Sequence, residues 1–385
     1  MNKSLAPTAL MLGNFVTGVA VLSPAGMLGD LARALGVSVY QAGLLITFGA
    51  VLLCIGSPLM IWLTSRVGRR TLLVISMAGV AVCHVATLVA PDYATLLSLR
   101  LVMLAFLVVF TPVAAGTVSL IVPEASRASS IAYVFLGWSL ALVAGLPLVT
   151  FMAAHFGWRE ALLVIGIMAA VAALLIAICL PRGLVGAPVE LRTWAAIGRN
   201  RLILLLLLIT TLQITGQFCT FTYLGPLLSR LTQATPATVG LAFSLFGVCG
   251  LVGNLVAMRM VGRIGPFWTS VIFLGAMLSG SLVWVVGAGM AALPLLLTAS
   301  VLWGLGFAAI NSMQQSRLVG AAPAFASASV ALNTSMVYVG QAAGSAIGGQ
   351  FFEQQLFHAH GYVGITFVLL AIGVAFLTRP ARAMA

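Results

Sequence analysis

The sequence has very little charge. Only 6% of its 385 residues are Asp, Glu, Lys or Arg, whereas 62% are hydrophobic and the mean hydropathy is +1.18. A soluble domain carries about 25% charged residues, so this chain lacks the polar surface that a water-exposed globule needs. The composition therefore excludes a soluble enzyme, a nucleic-acid-binding module and a disordered protein.

Acidic residues are especially scarce, and their positions are informative. The 18 Lys and Arg residues give a net charge of +12, but they stand singly or in short clusters without interleaved aromatic residues. This spacing is typical of membrane topology rather than of a nucleic-acid partner. No acid falls in the middle of an apolar run. The six acids are Asp30, Asp92, Glu124, Glu160, Glu190 and Glu353.

Cysteine is also sparse, and the sequence indicates neither a disulfide framework nor a metal centre. We predict that all five cysteines are buried thiols, because they stand inside apolar runs with no CxxC spacing. The sequence contains no Walker-type phosphate loop, nucleophile elbow or HExxH motif, so no ATP-driven step, hydrolysis, cofactor or metal is expected. The cysteines are Cys54, Cys83, Cys179, Cys219 and Cys249.

Long apolar runs, by contrast, are abundant. A membrane helix needs about 20 apolar residues, and the runs predict twelve spans, the first of them an uncleaved helix rather than a signal peptide. The fold class is therefore an all-α polytopic membrane protein with two six-helix bundles, at 1–181 and 201–385, joined by a cytoplasmic loop at 182–200. Spans 1 to 12 are predicted at 7–28, 40–63, 71–90, 94–121, 128–153, 160–181, 202–228, 237–258, 267–289, 292–314, 326–350 and 361–378.

The positive charges predict the orientation of the chain. With both termini in the cytoplasm, 14 of the Lys and Arg residues fall in cytoplasmic segments, 3 fall outside, and Arg100 lies within a span. Cytoplasmic loops of membrane proteins are enriched in Lys and Arg. The distribution therefore predicts a multi-pass protein of the inner membrane with both termini inside.

The two halves repeat short patterns of small residues. A pattern in span 2 returns in span 8 at an offset of 197, and one in span 5 returns in span 11 at an offset of 199. Two repeated halves with a site near the midplane are typical of secondary transporters. The matching pairs are Gly43 with Gly240, Thr47 with Ser244, Gly56 with Gly253, Ser130 with Ser329, and Gly145 with Gly344.

Three motifs make the chain similar to a known family. The segment Ser65-Arg66-Val67-Gly68-Arg69-Arg70 matches a pattern of an acid followed by Arg-x-Gly-Arg-Arg, with Ser65 at the acid and Ile61 at an earlier glycine. Span 5 carries Gly145-Leu146-Pro147, and span 4 carries Arg100. In these motifs, and over essentially the whole chain, the sequence resembles the twelve-span drug:proton antiporter branch of the major facilitator superfamily, of the sugar-efflux and chloramphenicol-efflux type.

The resemblance implies a gate, a proton site and a cavity. Arg100 occupies the place of a family arginine that is linked to proton transfer, although Met103 and Leu104 replace the Gln and Gly that follow it in the family. The cavity would be lined by spans 1, 4, 7 and 10. The residues that the resemblance assigns to gating are Arg66, Gly68, Arg69, Arg70, Gly145 and Pro147.

Arg100 is also singled out by its chemistry. A charge inside a span costs at least ~2.5 kcal/mol unless it faces a partner or water. Either the side chain reaches lipid headgroups or pairs with Asp30 or Asp92, or it is a cavity cation that binds substrate or modulates a proton site. Asp30 is the acid best placed to approach it. His84 in span 3 is a candidate proton carrier, with a packing role as the alternative.

Polar side chains within the spans mark the predicted cavity. Several share one face of a helix at i, i+3 or i+4 spacing. The alternative is interhelical hydrogen bonding, which contributes only about 0.6 kcal/mol on average. The candidate substrate-binding residues are Arg100, Asn14, Thr17, Thr111, Gln213, Gln217, Trp303, Asn311, Gln314 and Tyr338.

Two further features favour structural interpretations. Gly340, Gly344 and Gly348 form a GxxxGxxxG ridge in span 11, which predicts a close approach of another helix. His358 and His360 are predicted in a solvated outer loop, with a metal site as the less favoured alternative.

The sequence thus predicts a secondary transporter that exports a small organic molecule, such as a drug or sugar, by alternating access. Proton antiport is implied by the resemblance alone, because no acid is expected within span 1. A proton-independent facilitator or importer of a polar or anionic solute is the alternative, and a non-transporting membrane sensor is a second rival. The expected partners are the substrate, the lipid bilayer and protons, and the chain is expected to be a monomer.

Overall fold

The computed structural model describes residues 5–64, 67–185, 198–321 and 326–379. Within these ranges every regular element is a helix. Helices suit a lipid environment because each backbone N–H and C=O is bonded inside its own segment. Large apolar side chains such as Val82 and Leu174, exposed by 68% and 60%, lie on the outside of the protein, where a bilayer would cover them.

Spans 1 to 6 form close to their predicted positions, but three of them are interrupted. Span 1 breaks at Met27, span 4 breaks after Leu107, and span 5 contains a five-residue π-helical segment. The helices of this half are Ala6–Gly26 with Leu28–Leu35 (span 1), Val39–Leu63 (span 2), Arg69–Ala86 (span 3), Tyr93–Leu107 with Phe110–Ile121 (span 4), Arg127–Leu140, the π-helical Ala141–Gly145 and Leu146–His155 (span 5), and Trp158–Cys179 (span 6).

In the second half, the connection between spans 8 and 9 is shorter than predicted. The two helices of Pro236–Gly289 are separated by a kink at Gly265, which has φ 74° and ψ 167°. Glycine adopts a positive φ without steric cost, and Pro266 disfavours helical geometry in the residue before it. The helices are Arg201–Phe221 with Leu224–Thr232 (span 7), Pro236–Gly289 (spans 8 and 9), Leu293–Ala321 (span 10), Ala326–Glu353 (span 11) and Ala359–Leu377 (span 12).

The number of membrane spans follows from helix length. Ten helical segments of the described chain are long and apolar enough to cross a membrane. One of them, Pro236–Gly289, consists of two helices separated by the kink at Gly265, and its 54 residues are enough for two crossings at about 20 residues each. Ala326–Glu353 has 28 residues but is too polar to be counted among the ten. All twelve predicted spans are therefore present as helices.

The chain divides into two compact units. One comprises Met1–Val189 together with Thr235–Ser244, and the other comprises Glu190–Ala234 and Leu245–Ala385, each over its described residues. The start of span 8 thus packs with the first unit. Most of the predicted linker at 182–200 lies outside the described residues, so its role as the junction stays a prediction.

One close contact between helices occurs at equivalent positions in the two units. In the first unit, a methyl group added at Gly166 of span 6 would lie 2.9 Å from Cβ of His84 in span 3. In the second unit, a methyl group added at Gly364 of span 12 would lie 3.0 Å from Oγ of Ser281 in span 9. The two pairs are related by offsets of 198 and 197, close to the offsets of 197 and 199 that relate the repeated patterns in the sequence.

Asp92 caps the helix of span 4, and this yields a test of pH dependence. Its carboxylate accepts a hydrogen bond from the amide of Thr95 over 2.8 Å, and this bond holds the pKa of Asp92 below its usual value. A lowered pKa means that the stabilisation is complete at neutral pH and is lost as the pH falls through the folded-state pKa. Asp92→Ala is therefore expected to lower the unfolding temperature of detergent-solubilised protein at neutral pH.

Asn is also a good N-cap but does not titrate. Asp92→Asn should therefore match the wild type at neutral pH and lose less stability than the wild type between about pH 6 and about pH 3. Identical pH profiles for the wild type and Asp92→Asn would show that the cap does not depend on the charge.

Candidate functional site

Arg100 is buried in the first unit and is held by backbone carbonyls. The residue is only 7% exposed. Nε donates to the carbonyl of Leu45 over 2.9 Å, Nη1 to that of Ala20 over 3.2 Å, and Nη2 to that of Val21 over 2.8 Å. One guanidinium therefore joins span 4 to spans 1 and 2.

The local sequence explains why a cation fits there. Pro24 lies inside the span 1 helix, and proline has no amide hydrogen for the carbonyl four residues earlier, which is that of Ala20. Arg100 and the hydroxyl of Ser23 donate to this carbonyl instead. In span 2, Gly49 lies beside the guanidinium and packs closely on span 4, since a methyl group there would lie 2.6 Å from Cδ1 of Leu104.

The structure does not bring Asp30 to Arg100, so the alternative of an ion pair between them is wrong. Asp30 lies on the short helix that follows the break in span 1, and it pairs with Arg33 at 2.5 Å. Asp92 caps span 4. Among the described residues Arg100 has no acidic partner, and its burial is incompatible with a side chain that reaches lipid headgroups. Backbone carbonyls were the partners that sequence reasoning missed.

His84 and Arg100 do lie at the same place. Both line one small cavity of about 20 Å³, which is also lined by Pro24, Cys83 and Leu162. This volume is sufficient for a single water molecule. His84 is 2% exposed, and its Nδ1 lies 2.9 Å from the carbonyl oxygen of Val80. Nδ1 is therefore paired within its own helix.

The predicted substrate residues of spans 1 and 4 are tied to one another. Asn14 donates to the carbonyl of Val134 in span 5 over 3.0 Å and accepts from Thr111 over 2.6 Å. Thr111 accepts in turn from Nε1 of Trp138 over 3.2 Å. Thr17 donates to the carbonyl of Gly13 in its own helix over 2.9 Å. These bonds link spans 1, 4 and 5, as the structural alternative expects.

The two glutamines of span 7 are different. Gln213 is 0% exposed and Gln217 is 2% exposed, and neither amide nitrogen nor amide oxygen of either side chain has a partner among the described residues. They lie one turn apart, on the face that also carries Gly216, where an added methyl group would lie 3.1 Å from Cβ of Phe367 in span 12. An unpaired buried polar group costs about 1–3 kcal/mol. The amides of Gln213 and Gln217 are therefore candidates for hydrogen bonds to a ligand.

The candidates of spans 10 and 11 are mostly paired. Nε1 of Trp303 donates to Ser281 over 3.2 Å, and Asn311 donates to Phe307 of its own helix over 3.1 Å while its side-chain oxygen lacks a described partner. Gln314 donates to the carbonyl of Leu206 over 2.9 Å. Tyr338 is half-buried in span 11. These contacts link helices inside the second unit.

Arg317 is a buried cation that sequence reasoning missed. It is 8% exposed, donates to Gln314 over 3.1 Å and to the hydroxyl of Thr378, and lies over the ring of Phe267 at 5.3 Å. Span 10 was predicted to end at residue 314, which placed Arg317 in a loop. The absence of Gly or Pro between Gln314 and Gly320 is the signal that extends the helix.

His360 is a second correction. It belongs to the first turn of span 12 and is 0% exposed, rather than lying in a solvated loop. Its ring meets that of Tyr223 edge-on with 6.1 Å between centroids, which places it in an aromatic environment. His358 precedes the helix as its N-cap residue. In the described part of the chain no cluster of three His, Cys, Asp or Glu residues suits a metal.

The predicted gating arginines tie helices inside the first unit. Arg69 donates to the carbonyl of Val113 in span 4 over 3.3 Å, and Arg70 donates to that of Ala177 in span 6. Gly68 is the N-cap residue of span 3. Arg66 lies outside the described residues.

The proline of the span 5 motif leaves a backbone carbonyl available to span 8. Pro147 lacks an amide hydrogen for the carbonyl of Val143, and Ser244 of span 8 donates to this carbonyl over 3.0 Å. A methyl group added at Gly240 would lie 3.6 Å from Cβ of Pro147. Gly145 ends the π-helical segment and packs against Val19 of span 1.

Comparisons with known proteins agree over the length of the chain. Residues 10–231 match the model of the Major Facilitator Superfamily. The chain is 30% identical over 376 residues to the inner membrane transport protein YdhP of Escherichia coli, covering 96% of this chain and 93% of that protein. It is 26% identical over 352 residues to a probable sugar efflux transporter of Mannheimia succiniciproducens, covering 91% and 87%.

Solved structures share the fold. A mutant of the nucleoside transporter NupG has a TM-score of 0.79 at 11% identity, covering 98% of this chain and all of that one. A bacterial homolog of the human lysosomal transporter Spinster has a TM-score of 0.74 at 14% identity, covering 99% of each chain. At such low identity the agreement concerns the helical architecture.

Proposed function

The chain belongs to the major facilitator superfamily and is a membrane transporter rather than an enzyme, and from this premise we propose that it exports a small organic molecule by alternating access coupled to proton antiport. The proposed substrates are neutral or anionic solutes, such as a sugar, a similar metabolite or an uncharged drug. Support comes from the relatives named as sugar efflux transporters.

The observation that carries the proposal is the pair of buried amides at Gln213 and Gln217. Each amide offers two donors and one acceptor, which is the complement of a hydroxyl-rich or carbonyl-bearing solute. Their four polar atoms have no described partner, whereas Asn14, Thr111 and Gln314 are paired with other helices. We therefore place substrate binding first on Gln213 and Gln217.

We propose that the protein lies in the inner membrane with both termini in the cytoplasm and acts as a monomer. The 14:3 distribution of Lys and Arg supports the orientation. The relative of Escherichia coli, named an inner membrane transport protein, supports the location. We further propose that 1–181 and 201–385 form the two six-helix bundles, with 182–200 as the loop between them.

For proton coupling we propose the cavity that His84 shares with Arg100. A proton on His84 would bring a second positive charge to this cavity, and like charges repel. The repulsion would weaken the bonds of Arg100 to the carbonyls of spans 1 and 2 and so loosen the junction of spans 1, 2 and 4. Asp30 is left out of this mechanism, because it pairs with Arg33 on the short helix Leu28–Leu35.

An accumulation assay tests the function. An efflux-deficient bacterium that expresses the chain should accumulate less of at least one sugar, nucleoside, phenicol or amphipathic drug, and a proton uncoupler should restore accumulation. His84→Gln should transport that compound with a flux that no longer responds to the uncoupler. Uncoupler-independent flux in the wild type would instead support a facilitator or importer. No transport of any compound by protein shown to be in the membrane would favour the sensor.

Substitution of the two glutamines distinguishes a role in substrate binding from a role in folding. A binding role predicts that flux falls while stability is kept, whereas a structural role predicts that stability falls. Gln213→Leu and Gln217→Leu remove amides that have no described partner, so each variant is expected to unfold at the same or a higher temperature in detergent while flux falls about tenfold or more. A lost hydrogen bond of about 1–1.5 kcal/mol corresponds to roughly this factor.

Gln314→Leu is the matched control for this experiment. Its amide is bonded to the carbonyl of Leu206 and accepts from Arg317, so the same substitution should lower the unfolding temperature. A comparable loss of stability in all three variants would mean that the span 7 glutamines are structural, and substrate binding would have to be placed elsewhere.

A further inference from the structure

A groove lies in the first unit where spans 3 and 6 leave the membrane. Its volume is about 440 Å³, within the range of small-molecule sites. Gly68 immediately precedes the span 3 helix, and Arg182 follows the end of span 6. The groove is therefore at a membrane interface, whichever way the chain is oriented. It is lined by Gly68, Arg70, Thr71, Val74, Ile75, Ala177, Arg182 and Gly183.

The lining divides into a cationic end and an apolar end. Arg70 and Arg182 are the charged residues of the groove, and no acid is among the lining residues. Arg182 is exposed, while Arg70 is fixed by its hydrogen bond to the carbonyl of Ala177. Guanidinium groups match phosphate oxygens in geometry and charge.

The chain folds so as to bring the two arginines together. The amide of Arg69 donates to the carbonyl of Leu184 over 2.8 Å, which fastens the segment after span 6 onto the start of span 3. Gly183, at φ 83°, makes the turn that this requires. No side chain caps the span 3 helix, and the positive end of its dipole thus adds to the field of the arginines.

The apolar end continues along the outside of the protein. Ile75 in span 3 and Ile178 in span 6 are exposed by 49% and 56%. Leu174 and Val171 extend the span 6 face by helical spacing, exposed by 60% and 46%. A molecule with a phosphate group in the groove would therefore have its alkyl chains against these side chains.

We propose that this groove binds an anionic phospholipid, with the phosphate between Arg70 and Arg182 and the acyl chains along spans 3 and 6. A soluble phosphate ester would satisfy the arginines but would leave the adjoining apolar faces unused. Basic pockets between membrane helices are suited to anionic headgroups. The site is separate from Arg100 and the span 7 glutamines, so it stands or falls independently of the transported substrate.

Native mass spectrometry of the full chain in a neutral detergent tests the proposal. The probes are phosphatidylglycerol and phosphatidylcholine with identical acyl chains. The wild type should bind phosphatidylglycerol about tenfold more tightly, since each cation near an anionic lipid contributes on the order of a several-fold preference. Arg70→Gln/Arg182→Gln should reduce this preference to within about twofold. Arg70→Lys/Arg182→Lys should keep most of it.

The matched control is Arg259→Gln/Arg263→Gln, which removes two exposed arginines from the second unit and should keep the full preference. Equal binding of the two lipids by the wild type would overturn the proposal, as would an unchanged preference in Arg70→Gln/Arg182→Gln. Displacement of phosphatidylglycerol by millimolar inorganic phosphate would assign the groove to a soluble anion instead. If the double variant does not fold, Arg182→Gln alone should lose about threefold, because its side chain is exposed.

Discussion

Replacing Arg100 by methionine is expected to abolish transport and to lower the free energy of unfolding by about 2–4 kcal/mol. The substitution leaves the carbonyls of Ala20, Val21 and Leu45 without the guanidinium that now bonds to all three. The gain from no longer burying a charge offsets part of the loss. Arg100→Lys keeps the charge, but a single ammonium cannot reach three carbonyls on two helices, so intermediate stability is expected.

A double-mutant cycle with Pro24 isolates the cause. Pro24→Ala restores an amide for the carbonyl of Ala20, so Arg100→Met should cost about 1 kcal/mol less in that background than in the wild type. Thermal unfolding in detergent and uptake into proteoliposomes are the measurements. Arg230→Gln, at an exposed arginine in the second unit, should match the wild type in both. Additivity of the Pro24 and Arg100 changes would show that the missing amide does not explain the site.

Gly348→Ala is expected to destabilise the second unit by about 3 kcal/mol, and Gly344→Ala/Gly348→Ala to give no folded protein. Methyl groups at these glycines would meet the backbone carbonyls of Cys219 and Thr215 in span 7. A side chain can rotate out of the way, but a helix backbone cannot, so spans 7 and 11 would have to separate. Expression yield and unfolding temperature report the loss.

Gly373→Ala provides the matched control within a helix. No atom lies within 4 Å of a methyl group there, and Ala is favoured over Gly in a helix by roughly 0.5–1 kcal/mol, so this variant should be slightly more stable. Gly145→Ala tests the role of the contacting atom, because its methyl group would meet the side chain of Val19 rather than backbone. It should cost less than Gly348→Ala; equal costs would contradict the backbone explanation.

The close contacts of span 11 show what a local sequence pattern predicts about helix packing and what it does not. A GxxxGxxxG ridge can be recognised from fewer than ten consecutive residues, because helical periodicity places its three glycines on one face of the helix. The ridge predicted a close helix approach, and Gly340, Gly344 and Gly348 each contact span 7. The partner helix could not be predicted, since any neighbouring helix can accept such a ridge.

Helix ends were predicted less well than helices. Arg259–Arg263 was expected in a loop because charge ends an apolar run, yet the helix continues to Gly265. Arg317 was placed in a loop for the same reason, yet Thr378, Gln314 and the ring of Phe267 keep it buried. Charge at the end of an apolar run thus does not mark the end of the helix.

The sequence by itself determined the membrane class, the twelve helices and the family, because these depend on composition, apolar run length and local motifs. Only the tertiary structure decided which polar residues are already paired. Arg100 bonds to carbonyls 55 to 80 residues away, and Asn14 bonds to one 120 residues away. Every residue has a backbone carbonyl, so the sequence does not show which carbonyl accepts a hydrogen bond from a distant side chain. Gln213 and Asn14 carry the same amide group, and only the packing shows that the amide of Asn14 is hydrogen-bonded while that of Gln213 has no partner among the described residues.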